Sequence, residues 1–214
     1  MSNVNADKLT HSKKNFEHIT MLMHLVADHL IQMAEKLDKD AISHLIDELL
    51  RADAIFLMGA GRSGLVARAF AMRLMHLGLR VYVVGETTTP AVKRGDLVIA
   101  ISGSGETSSI ANLGKIAKQL GAKVATFTSN PASTLGSISD IVIPVSGGLY
   151  RQTPENKEKD YLEQHMMGTY RRLTPLGTLF EISTLVLADA IIAELIARTG
   201  TSEEELRARH STLE

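Results

Sequence analysis

The chain has 214 residues, with 23 Lys and Arg against 24 Asp and Glu for a net charge of −1, and it contains neither Cys nor Trp. This length can bury the core of one ordinary domain. The missing cysteines exclude a disulfide scaffold, a Cys-ligated zinc site and thiol catalysis together. Near-neutral charge and 4% aromatic residues argue against a nucleic-acid partner, which calls for basic patches or stacking platforms. No run of ~18 uninterrupted apolar residues offers a membrane span. The start of the chain is polar and lacks an apolar leader segment, so a cytoplasmic location is expected.

From about Phe16 to Leu50 apolar residues recur at spacings of three and four, which predicts a helical pair. Asp38 or Asp40 can cap its second member. Ala54–Met58 is a short apolar run stopped by glycine, the pattern of a buried strand. Alternation follows: loop and helix over 59–77, strands at 80–84 and 97–101, loop and helix over 102–120, then strands at 123–127 and 141–145. Continuous apolar strands separated by amphipathic helices predict an α/β fold, a three-layer doubly wound five-stranded parallel sheet. A long helix is expected from Leu179 to Arg198, and Thr201-Ser-Glu-Glu-Glu205 can open a short terminal one. The division expected is a helical segment, 1–52, packed on the domain or on a neighbouring subunit, followed by a domain over 53–214. Gly147–Leu173 reads as a polar insertion within that domain and carries Tyr150, Tyr161 and Tyr170, three of the four tyrosines. A loop this long is either a solvated insertion or a lid.

Two strand-to-helix loops repeat one chemistry. Gly59-Ala-Gly-Arg-Ser-Gly64 fits the dinucleotide fingerprint, with Glu86 where a ribose acid could stand, but it equally fits a tight turn that needs glycine. Ser102-Gly-Ser-Gly-Glu-Thr-Ser-Ser109 holds five hydroxyls in eight residues, more than helix capping requires. Glycines allow close backbone approach, and N–H groups at a helix start bind phosphate without lysine. In the strand order 2-1-3-4-5 both loops follow the strands that flank the topological switch point, where ligands bind.

Gly59–Gly64, Phe70-Ala-Met-Arg-Leu-Met-His-Leu-Gly78, Val84-Gly-Glu-Thr-Thr-Thr-Pro90 and Ile101-Ser-Gly-Ser-Gly-Glu-Thr107 resemble the sugar isomerase (SIS) domain family, more narrowly its 6-phospho-3-hexuloisomerase branch. Pro175-Leu-Gly-Thr-Leu-Phe-Glu181 and Arg209-His-Ser-Thr-Leu-Glu214 resemble the C-terminal motifs of that branch. The resemblance implies a flavodoxin-like sheet and a cofactor- and metal-independent interconversion of D-arabino-hex-3-ulose 6-phosphate and D-fructose 6-phosphate through a cis-enediol. It further implies a place in the ribulose monophosphate pathway and a homo-oligomer, dimer or tetramer. Glu181 is then the base and His210 a second acid/base. The contacts expected for the sugar phosphate are Gly61, Arg62, Ser63, Thr87, Thr88, Ser102, Gly103, Ser104, Gly105, Glu106 and Thr107.

Each assignment has a plainer competitor. Thr178-x-x-Glu181 is itself a capping box. Arg62 can meet phosphate, a neighbouring subunit or only solvent, and His210 can be an exposed helix-end residue. The other histidines show no ligand spacing for a metal. The insertion departs from the family pattern. A non-catalytic sugar-phosphate sensor and a pentose-phosphate aldose–ketose isomerase share the same loops and remain the alternatives.

Overall fold

The computed structural model describes residues 17–147 and 178–210. The three insertion tyrosines and residues 211–214 of the terminal motif lie outside the described residues. Two helices, α1 (Glu17–Glu35) and α2 (Lys39–Arg51), lead into β1 (Ile55–Gly59), α3 (Arg62–His76), β2 (Val81–Val83) and β3 (Leu97–Ile101). There follow α4 (Ser108–Gln119), β4 (Lys123–Thr128), α5 (Thr134–Ile138), β5 (Ile141–Pro144), α6 (Thr178–Thr199) and α7 (Glu203–Ala208). The five strands form one sheet in the order β2-β1-β3-β4-β5, and all their pairings are parallel. Strand content and order match the sequence expectation. The fold is α/β as expected, while β2 is two residues shorter than the 80–84 span.

Alternate side chains of each strand enter different layers. Ile55, Leu57, Leu97, Ile99, Ile101, Ala125 and Phe127 pack under α2, α3 and α6. Phe56, Met58, Val98, Ala100 and Val124 pack under α4 and α5. The sheet is thus the middle of three layers, which is why its strands read as unbroken apolar runs. A fully buried Leu or Phe in such a layer contributes ~1.5–3 kcal/mol.

Asp38, not Asp40, caps α2: its carboxylate accepts the Ala41 N–H at 3.0 Å. That cap turns Leu45, Ile46 and Leu49 into the first core layer, where they join Ile191 and Leu195 of α6. α1 is looser, with Ile19, Met23 and Ile31 exposed.

The sequence pattern predicts no helix between β4 and β5, yet α5 forms there. It has only five residues, too few for periodicity to register. What builds it is capping: the Ser133 hydroxyl accepts the Gly136 N–H at 3.1 Å, and the Glu106 carboxylate reaches Thr134 from the neighbouring loop.

Candidate active site

β1 connects outward to β2 through α3, and β3 connects the other way to β4 through α4. Gly59 and Ile101 are partners at the carboxyl ends of β1 and β3. The two glycine-rich loops therefore leave the sheet side by side, at its switch point. In the first loop Gly59 and Gly64 pack together: a Cβ on Gly59 would stand 2.8 Å from the Ser63 carbonyl carbon, and one on Gly64 2.8 Å from the Gly59 carbonyl oxygen. These two glycines serve the strand-to-helix turn. Glu86, the ribose-acid candidate, instead pairs with Arg68 at 2.8 Å.

The five helix starts whose preceding residues are described fall into two groups. α2, α5 and α7 open with side-chain caps from Asp38, Ser133 and Ser202. α3 and α4, which open at the switch point, begin at Gly61 and Thr107 with no side-chain cap bond. Their first N–H groups stay available for an anion, and neither first turn holds an acidic residue.

The second loop is braced from behind. Its Gly103 carbonyl accepts from the Ser129 N–H at 3.0 Å and from the Thr128 hydroxyl at 3.2 Å. Gly105 has φ +65°, and a Cβ there would lie 1.9 Å from the Ser133 hydroxyl oxygen. Ser102 is buried, and its hydroxyl stands 3.4 Å from that of Thr107. The Ser104 hydroxyl accepts the Glu106 N–H at 3.2 Å. Glu106 points its carboxylate away to α5, accepting from the Thr134 hydroxyl at 2.7 Å and the Thr134 N–H at 2.8 Å. The Thr134 hydroxyl, and then its backbone N–H, hold this carboxyl below the usual glutamate range.

α6 delivers the carboxylate. The Phe180 ring lies against Gly103, with a Cβ on that glycine only 3.2 Å from the ring. Glu181 follows it in the first turn of α6, its side chain 12% exposed. Its Oε2 accepts the Arg62 Nε–H at 2.5 Å across the mouth of the crevice. Gly61, Arg62, Ser63, Ser102, Gly103, Ser104, Gly105, Thr107 and Glu181 thus converge on one edge of the sheet. Thr87 and Thr88 are exposed on the turn after β2 at the same edge, while Thr89 anchors that turn through its hydroxyl to the Val83 carbonyl at 2.6 Å.

His210 is elsewhere. Its ring stacks on His76 with centroids 5.1 Å apart, and the neighbouring Arg209 guanidinium donates to the His76 carbonyl at 3.3 Å. His76 is the last residue of α3 and Arg62 the first, so roughly 20 Å of helix separates His210 from Glu181. A cavity of about 500 Å³ lined by Arg73, Asp189, Ile192, Leu206 and His210 opens at that far end.

Sequence reasoning missed Phe180, Thr128 and Ser129 as supports of the second loop, and the direct pairing of Arg62 with Glu181. The only signal for the first three was a hydroxyl pair at the end of a strand and an aromatic before the acid. Among the described residues no group of acidic or histidine side chains could hold a metal ion, and no helix is long and apolar enough to cross a membrane.

The chain is similar to known proteins in sequence and in fold. The SIS domain family matches residues 48–148. A 3-hexulose-6-phosphate isomerase from Mycobacterium gastri is 38% identical over 92% of this chain and 92% of its own length. An uncharacterized protein from Aeropyrum pernix is 45% identical over 88% of this chain and 89% of its own. The crystal structure of a hypothetical protein from Methanococcus jannaschii, for which a function of 3-hexulose-6-phosphate isomerase was inferred, superposes with a TM-score of 0.73. It is 32% identical and covers 91% of this chain and 99% of its own.

Proposed function

The chain belongs to the SIS domain family of sugar-phosphate isomerases, and on that premise we propose that it interconverts D-arabino-hex-3-ulose 6-phosphate and D-fructose 6-phosphate. The observation that carries this reading is the position of Glu181. A mostly buried carboxylate stands in the crevice where two uncapped helix starts and a Ser/Gly loop offer donors to a phosphate. Phosphate grip and carbon base are then combined in one cleft, which is what an enediol isomerase requires.

In the reaction Glu181 takes the proton from C2 of the 3-ulose, and the C2–H electrons form the C2–C3 double bond as charge moves to the C3 oxygen. The same carboxyl returns its proton to C3, and the O2 hydroxyl proton passes to the C3 oxygen side, leaving the carbonyl at C2. This is the isomerisation that the ribulose monophosphate route requires. His210, at the other end of α3, can serve this chemistry only in the cleft of another copy, so the reading includes a homo-oligomer.

Incubation with D-fructose 6-phosphate in deuterated water tests the proposal. Carbon-bound deuterium together with hex-3-ulose phosphate is the expected result. Binding without exchange identifies a sensor and overturns it, as does turnover confined to pentose phosphates.

A further inference from the structure

Arg62 stands where α3 gives it no reason to be. It is the first residue of the helix, at the end where a cation opposes the macrodipole, behind an N-cap glycine that brings no side chain. Its side chain is 60% exposed, yet its Nε–H is fixed at 2.5 Å on Oε2 of Glu181, which is only 12% exposed. Glu181 sits in the first turn of its own helix, where a carboxylate is favoured. The pair therefore joins an arginine with no role in its helix to a carboxylate whose preceding residue, Phe180, packs on the second loop.

Resting on the isomerase reading, we propose that Arg62 is a positioning residue for Glu181 and not a ligand of the substrate phosphate. The Nε–Oε2 bond orients the carboxylate and leaves Oε1 as the atom that accepts the carbon-bound proton and returns it. Phosphate is then left to backbone N–H groups and hydroxyls, in keeping with the uncapped starts of α3 and α4. A carboxylate rotated out of line loses the alignment that proton transfer from carbon needs, and a misplacement near 1 Å costs about 10²-fold in rate.

The test compares wild type with Arg62→Gln and Arg62→Lys, reading kcat, KM for D-fructose 6-phosphate, inhibition by inorganic phosphate, and thermal midpoint. Arg62→Gln is expected to lower kcat about 10²-fold while KM, phosphate inhibition and midpoint stay near wild type. Low millimolar guanidinium ion is expected to recover part of kcat. Arg62→Lys is expected not to recover it, since an ammonium lacks the planar N–H geometry. A rise in KM and loss of phosphate inhibition at unchanged kcat would make Arg62 a phosphate ligand and overturn the proposal. So would a lowered kcat that guanidinium leaves untouched. An inactive wild type overturns the isomerase reading itself, whereas an active wild type with an unaltered Arg62→Gln overturns only the positioning role.

Discussion

Glu181 and His210 lie at opposite ends of α3, the first paired with Arg62 and the second stacked on His76. One helix therefore carries two chemically equipped ends that face different surroundings. If both residues serve one reaction, a single copy of the chain cannot hold the complete site.

Mixing two inactive variants checks this. In a twofold assembly, co-expressed Glu181→Gln and His210→Ala chains form mixed dimers in which one cleft has both wild-type groups. About a quarter of all clefts are then complete, so about a quarter of wild-type activity is expected. Activity no higher than that of the separate variants would assign His210 a role outside the reaction.

Glu181→Gln alone is expected to fold like wild type, because an amide keeps the size and an oxygen acceptor for Arg62. Its rate is expected to fall by ~10²–10⁴. Steady-state kinetics with circular dichroism on the same sample decides, and a stable, fully active Gln variant removes the base assignment.

Two hydroxyls at helix starts are expected to behave differently. Ser133 caps α5 through the Gly136 N–H, and Ser133→Ala is expected to cost about 1 kcal/mol of stability. Thr107 opens α4 without such a bond and accepts only a long 3.4 Å bond from Ser102, so Thr107→Val is expected to cost less stability than Ser133→Ala while weakening phosphate-ester binding. Urea melts and calorimetric titration with D-fructose 6-phosphate separate the two effects.

The bond from Glu106 to Thr134 carries a pH signature. Its folded-state carboxyl is held below the ordinary value by the Thr134 hydroxyl and N–H, so the stabilisation is present above the unfolded-state value. It is lost as pH falls through the lower folded-state value. Glu106→Gln is therefore expected to be less stable than wild type at neutral pH, with the difference shrinking on acidification below the usual glutamate range. A difference independent of pH would assign the effect to shape and not to charge.

The sequence by itself determined the strands, every long helix and the parallel sense of the sheet, because burial on two faces writes a local apolar pattern and glycine ends it; the order of the strands is implied only by the family resemblance. It also exposed the two repeated loops and the Ser202–Glu205 capping box, which the structure forms, because a cap acts over three residues. Five-residue α5 escaped it, since so short a helix has no period to read. What tertiary structure alone decided are the partners. Arg62 meets Glu181 across 119 positions of chain, Glu106 turns to Thr134 across 28, and His210 goes to the far end of α3. Such pairings depend on how helices settle over a sheet, and no local spacing of residues encodes which of several open donors a carboxylate will find.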